Sequence, residues 1–141
     1  MHTHFQLHHV GIVVKDIGAA AERYERRLGY EQRSGVIHDP LQTAQVQFLG
    51  LPAAPVYLEL VSPDGPGSKL QDALAKGESL HHLCYLTETI EVGCEHLRNE
   101  GMTLVRAPAP AVAFRGRRIA WMMGRDRVLI ELLERGPSDE L

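Results

Sequence analysis

The sequence predicts an α+β fold made of two tandem copies of one βαβββ module, and three observations carry that prediction. The stretch Leu7-His8-His9-Val10-Gly11-Ile12-Val13-Val14 recurs as Leu80-His81-His82-Leu83-Cys84-Tyr85-Leu86-Thr87, 73 residues later. The echo continues without a gap: Ile17 matches Ile90, Glu22 matches Glu95 and Tyr24 matches Leu97, on segments of helical apolar spacing. A second pair closes each copy, Val56-Tyr57-Leu58-Glu59-Leu60-Val61 recurring as Val128-Leu129-Ile130-Glu131-Leu132-Leu133 at an offset of 72. A repeat this long is a duplicated supersecondary unit, since a solenoid needs at least three shorter ones.

Residues 7–14 read as the first strand, almost uniformly apolar after the histidines and so expected to be buried on both faces. Asp16 is the expected N-cap of a helix running to about Leu28, with Ile17, Ala20, Ala21, Tyr24 and Leu28 at helical spacing and Gly29 as the stop. Three strands follow, about Tyr30–Ile37, Gln42–Leu49 and Val56–Val61, separated by His38-Asp39-Pro40 and by Gly50-Leu51-Pro52-Ala53-Ala54-Pro55. Module one is thus 7–61. The linker and short helix occupy 62–79. Ser62-Pro63-Asp64-Gly65-Pro66-Gly67 is the clearest boundary in the chain, and the helix, about Ser68 to Lys76, ends at Gly77. Module two, 80–134, repeats the plan with a strand at 80–87 and a helix at about 89–100 that turns Ile90, Cys94 and Leu97 inward. Strands are expected near Thr103–Arg106, Arg118–Met123 and Val128–Glu134. Ala107-Pro108-Ala109-Pro110-Ala111 reads as an extended loop and 136–141 as a polar tail.

At 141 residues the chain is expected to form a single domain, 1–141, with a substantial core. A net charge of −3 offers no global attraction for nucleic acid, so an anionic ligand would need a local basic patch. No apolar run approaches the roughly 20 residues that span a bilayer, which speaks against a membrane protein. The N-terminal Met1-His2-Thr3-His4-Phe5-Gln6 lacks the pattern of a signal peptide, and the expected location is the cytoplasm. Cys84 and Cys94 have no metal-ligand spacing and are expected to be small buried side chains.

Each module opens with histidines on an apolar strand and closes with a glutamate on another. Alternation puts His9, Gly11 and Val13 on one face and His8, Val10 and Ile12 on the other. A lone carboxylate buried in such a strand costs several kcal/mol unless it is paired or bound to a metal. A single strand histidine is more often an ordinary core residue. Duplication changes the weighing, because chance does not put two histidines and two glutamates at equivalent points of two copies. Together they make a set of four ligands for a divalent ion, with His8 or His9, and His81 or His82, as the inward histidine. Nitrogen and oxygen donors without thiolate suit Ni, Co, Mn, Fe or Zn rather than a structural zinc finger.

The openings LHHVGIVV and LHHLCYLT, the closings YLELVSP and LIELLE, and the repeated module resemble the vicinal oxygen chelate superfamily over about residues 7–134. That superfamily includes glyoxalase I, methylmalonyl-CoA epimerase, extradiol dioxygenases and the bleomycin and fosfomycin resistance proteins. The connector SPDGPGSKLQDALAKGESLHHLCY looks most like the epimerase branch. The resemblance implies a cupped mixed sheet around a metal site, with His9, Glu59, His82 and Glu131 as ligands of a divalent ion. It also implies a homodimer and a small-molecule substrate, an acyl-CoA among the candidates. Extradiol dioxygenases use two histidines and one carboxylate, so Glu59 argues for the isomerase-type site.

The resemblance implies an isomerase or epimerase that removes a proton alpha to a carbonyl through a metal-stabilised enolate, with Glu131 as the first choice of base and Glu59 as the second. The alternatives are a glyoxalase I-type lactoylglutathione lyase and a metal-free small-molecule (antibiotic) binding protein. In the epimerases a further acid stands on the strands of the first half. Here that stretch offers Gln42, Gln45 and Gln47, with His38 and Asp39 the nearest titratable groups. Five arginines, Arg115, Arg117, Arg118, Arg125 and Arg127, crowd one hairpin. They read either as a solvated surface or as an anion clamp, in which the guanidinium fork suits phosphate or carboxylate. Arg117, Arg118, Trp121 and Gln45 are the candidate substrate contacts.

Overall fold

The computed structural model describes residues 4–137 and 141. The chain forms two compact units, one running His9–His81 and the other joining the stretch that ends at His8 to the stretch that starts at His82.

The first unit follows β1 (Phe5–Val13, entering it at His9) with α1 (Ile17–Leu28), β2 (Glu31–Gln32), β3 (Ile37–Asp39), β4 (Ala44–Gly50), β5 (Tyr57–Pro63) and α2 (Gln71–Ala75). β1 runs parallel to β5, with α1 as the crossover between them, while β4 pairs antiparallel with β5, β2 and β3. The helix begins where the Asp16 side chain accepts the Ala19 N–H at 3.0 Å. It ends at Gly29, whose φ of 79° turns its N–H back onto the Glu25 carbonyl. Ile17, Ala20 and Ala21 bury against Leu49, Leu58 and Leu60, each leucine contributing roughly 1.5–3 kcal/mol of apolar burial. Leu28, expected inward, is the last residue of α1 and is 61% exposed.

The strand expected over 30–37 is split in two. Ser34-Gly35, poor strand formers, interrupt it, and the Ser34 hydroxyl replaces a ladder group by accepting the Phe48 N–H at 3.0 Å. The connector helix is shorter than expected, since Ser68 and the residues after it form a turn in which the Ser68 hydroxyl accepts the Leu70 N–H. Two anchors hold the connector to its own unit. The Ser68 hydroxyl donates to the Thr43 carbonyl at 2.6 Å, and Glu78 accepts the Lys15 N–H at 2.8 Å.

The second unit contains β6 (Ser79–Thr87, entering it at His82), α3 (Ile90–Asn99), β7 (Thr103–Pro110), a 3₁₀ turn at Val112–Phe114, β8 (Arg118–Met123) and β9 (Leu129–Glu134). β6 runs parallel to β9, and β8 lies antiparallel between β9 and β7. Ile90 and Cys94 of α3 pack on Ala120, Met122 and Leu132. β7 continues through the proline segment expected to be a loop. Pro108 and Pro110, which lack an N–H, are tolerated because β7 is an edge strand with register shifts. Neither cysteine forms a disulfide, and both are buried, as expected. The residues thus form the α+β class and the duplicated module predicted from the sequence. Residues 1–3 and, in the expected polar tail, 138–140 lie outside the described residues. Among the described residues no helix is long and apolar enough to cross a membrane.

Candidate metal centre

Strand register decides which histidine faces which carboxylate. In the first unit Gly11 stands opposite Glu59 across the parallel β1–β5 pair, so His9, two residues before Gly11, shares the Glu59 face. The His9 Nε2 lies 3.2 Å from Glu59 Oε1, and both side chains are buried. In the second unit Cys84 stands opposite Glu131 across β6 and β9, which puts His82 on the Glu131 face. The His82 Nε2 lies 3.2 Å from Glu131 Oε1, and this pair is buried too. The same contact forms twice, at equivalent points of the duplicated module. The other histidine of the first doublet takes a different role: His8 is buried with its ring edge-on to Phe114, centroids 5.7 Å apart.

An aromatic ring backs each pair. Phe48 on β4 stands opposite Glu59 and sets its ring edge-on to His9, centroids 5.4 Å apart. Trp121 on β8 stands opposite Glu131 and does the same to His82 at 4.9 Å. The two positions are 73 residues apart, so Phe48 and Trp121 are counterparts. Trp121 is among the residues expected at the site from the sequence, and Phe48 is not. The same offset would have found it, although a phenylalanine on an apolar strand carries no chemical signal of its own.

The other expected substrate contacts are elsewhere. Ala44, Val46 and Phe48 share the Glu59 face of β4, which puts Gln45 and Gln47 on the opposite, helix-bearing side. Gln45 is exposed there, and Gln47 donates to the Ser34 carbonyl at 3.0 Å. Asp39 does share the Glu59 side, but its carboxylate accepts the N–H of Gln42 and shapes the β3–β4 turn, while His38 pairs with Asp64 at 2.9 Å. Arg118 alternates with Ile119 and Trp121 and so lies on the α3 side of its sheet. Its guanidinium is taken up by Glu134 and Glu91, to which it donates from all three nitrogens. Those bonds hold both carboxyl groups below the ordinary carboxylate range. The anion clamp expected of Arg118 is thus closed by the chain itself. Arg117 lies over the Phe114 ring at 5.6 Å and donates to the Glu134 carbonyl.

Each His–Glu pair offers an imidazole nitrogen and a carboxylate oxygen in a dry setting. That donor set fits a borderline divalent ion, because ionised oxygen and neutral imidazole satisfy the cation while the cation offsets the desolvated charge.

The sequence model of the glyoxalase/bleomycin resistance protein/dioxygenase superfamily matches residues 8–121. The chain belongs to that superfamily. Among its relatives in the superfamily, the ethylmalonyl-CoA/methylmalonyl-CoA epimerase of Cereibacter sphaeroides is 32% identical over 124 residues, covering 86% of this chain and 90% of the relative. The structure of methylmalonyl-CoA epimerase from Mycobacterium tuberculosis superposes with a TM-score of 0.81 at 30% identity, covering 93% of this chain and 88% of that one. A Streptomyces coelicolor methylmalonyl-CoA epimerase in complex with 2-nitronate-propionyl-CoA gives a TM-score of 0.80 at 25% identity, covering 94% and 98%. The glyoxalase-superfamily assignment made from the two openings and closings is therefore correct, and the relatives named above, similar to the chain over most of its length, are epimerases.

Proposed function

We propose that this protein is a divalent-metal-dependent epimerase or isomerase that moves a proton alpha to the carbonyl of an acyl-CoA thioester. The observation that carries the reading is the twofold occurrence of a buried His–Glu pair at 3.2 Å, His9 with Glu59 and His82 with Glu131. The four side chains are assigned as ligands of one ion, which when bound supplies Lewis-acid stabilisation of the charge that develops on the substrate carbonyl oxygen.

The residues themselves supply the rest. His9 and His82 bind through Nε2, oriented by the Phe48 and Trp121 edges that limit their rotation. Glu131 takes the alpha proton at a carboxylate oxygen, and Glu59 is the second group able to hold or return it. Burial of all four excludes bulk water, which strengthens each charge interaction. The Cereibacter sphaeroides relative, named for ethylmalonyl-CoA and methylmalonyl-CoA, supports an acyl-CoA as the substrate class.

A second reading, a glyoxalase I-type lyase acting on a glutathione hemithioacetal, is favoured by one observation. The β4 side chains on the Glu59 face, Ala44, Val46 and Phe48, include no carboxylate to act as an additional acid. The deciding experiment is alpha-proton exchange in deuterated water with the metal-loaded protein, using ethylmalonyl-CoA, methylmalonyl-CoA and the hemithioacetal side by side. Exchange and inversion of a malonyl thioester are expected. Turnover of the hemithioacetal alone would replace the epimerase reading with the lyase. No exchange with any of the three, in protein shown by elemental analysis to hold a metal, would overturn both.

A further inference from the structure

The second unit has an open pocket of about 920 Å³ on the side of its sheet that carries α3. Its floor includes Leu83, Tyr85, Ile130 and Leu132, which alternate along β6 and β9 with His82, Cys84 and Glu131 and so face away from them. The pocket is therefore distinct from the metal centre.

The duplication explains why it is open. After each module's helix a left-handed glycine turns the chain, Gly29 at φ 79° and Gly101 at 95°. The next residue then donates back to the helix, Tyr30 to the Tyr24 carbonyl at 3.4 Å and Met102 to the Leu97 carbonyl at 3.0 Å. Tyr24 and Leu97 are thus counterparts, as are Tyr30 and Met102. In module one the two phenol rings meet edge-on, centroids 5.7 Å apart, and pack over Leu58 and Leu60. In module two aliphatic side chains take both places, and Ile130 is half-exposed where its counterpart Leu58 is buried. Leu97 and Met102 pack on the core without a ring at either place, and the pocket opens beside them.

The rim has a polar side. Asn99, Glu100 and Arg125 stand there beside Asp126, whose carboxylate is used by the Val128 N–H at 3.0 Å. Arg125 is exposed and makes no ion pair or side-chain hydrogen bond with a described residue. We propose that this pocket binds a small aromatic monocarboxylic acid, its ring against Tyr85, Leu97 and Met102, where module one carries the Tyr24 and Tyr30 rings, and its carboxylate on Arg125. The volume falls within the roughly 300–1,000 Å³ of small-molecule sites. Phe5 and Tyr85, already edge-on to each other at 6.5 Å, offer ring edges and faces for a third aromatic. A guanidinium pairs with a carboxylate through two parallel hydrogen bonds. Glu100 on the same rim repels a second negative charge, which favours a monoanion over a dianion.

The test uses the full chain, with 3-phenylpropionate and the neutral 3-phenylpropanol as probes, followed by calorimetry and by amide resonances of Leu97, Met102 and Ile130. Saturable binding of the acid is expected, with those resonances moving. Arg125→Gln should weaken the acid on the order of fivefold, the scale of an exposed ion pair, and leave the alcohol unchanged. The double variant Leu97→Tyr, Met102→Tyr should abolish binding of both probes. If it does not fold, Leu97→Phe alone should still weaken both. Absence of saturable binding up to about 10 mM, where an affinity would be worth under roughly 3 kcal/mol, would overturn the proposal. So would equal loss of acid and alcohol in Arg125→Gln, or unchanged binding in the filled variants. A filled variant that instead changes the oligomeric state would assign the pocket to a second copy of the chain and overturn it too.

Discussion

Trp121 stands edge-on to His82 with ring centroids 4.9 Å apart, and directly opposite Glu131 on the neighbouring strand. The indole therefore limits the motion of one proposed ligand while contacting the strand of the other. Removing it in Trp121→Ala should cost about 3–5 kcal/mol of stability, as for other large aromatics lost from a core. It should also lower metal affinity by roughly 10–100-fold, the usual scale for losing a group that orients a ligand. Trp121→Phe should recover most of the affinity, because a phenyl edge serves His9 in the other module. Urea unfolding together with metal titration separates the two effects.

Glu131→Gln should abolish alpha-proton exchange while retaining some metal, since the amide oxygen still coordinates but cannot accept a proton. The expected loss is about 10²–10⁴-fold, the contribution of a general base. Glu59→Gln should be milder on turnover and more evident in metal affinity. Single-turnover exchange rates at saturating metal would reveal the opposite ranking and move the base to Glu59.

His9→Ala and His82→Ala should have matching consequences, because each leaves its glutamate buried without the imidazole 3.2 Å away. Breaking a buried pair from one side typically costs about 3–5 kcal/mol. Each variant should also fail to hold the ion at neutral pH. Thermal melts of the metal-free proteins test the first point and elemental analysis the second. A variant that is fully stable and still binds one ion would remove that histidine from the site.

Arg118 makes the stability of the second unit depend on pH. Hydrogen bonds from its guanidinium hold the Glu91 and Glu134 carboxyl groups below their ordinary value of 4.5. A carboxyl with a lowered folded pKa contributes stability that is fully present above the unfolded value and lost as pH falls through the folded one. Wild type should therefore exceed Arg118→Ala in denaturation midpoint at neutral pH, and the gap should close in acid, below pH 4.5. Both carboxylates are largely solvated, so salt should narrow the gap as well. A gap that persists unchanged into strong acid would mean that Arg118 stabilises through its aliphatic stem.

The face that each His–Glu pair occupies was legible in the sequence because strand alternation and duplication are one-dimensional signals. Once His9 and Glu59 lie on β1 and β5, the matching offsets to His82 and Glu131 specify the same placement in the second copy. What stayed hidden depends on partners distant in the chain. Arg118 reads as a free cation until Glu134 and Glu91, 16 and 27 residues away, are seen on its guanidinium. Gln45 reads as a candidate contact until the Phe48–Glu59 register assigns it to the other side of β4. The proline segment of β7 reads as a loop because its tolerance comes from an edge position, which no local pattern encodes.

The strict alternation of β1, β4 and β5 also governs where this gene can change length. One inserted residue inside any of those strands would turn every later side chain of that strand to the opposite face, sending a proposed ligand or the ring behind it into the helix core. The two modules show how that hazard has been avoided. Eleven positions separate Phe48 from Glu59 but only ten separate Trp121 from Glu131, and the difference falls in the hairpin turn between them. Gly29 and Gly101, by contrast, differ by one position in their distance from Tyr24 and Leu97, at the helix end. Insertions and deletions have accumulated in the punctuation of the fold, and the strands that set the face of each proposed ligand have kept their count.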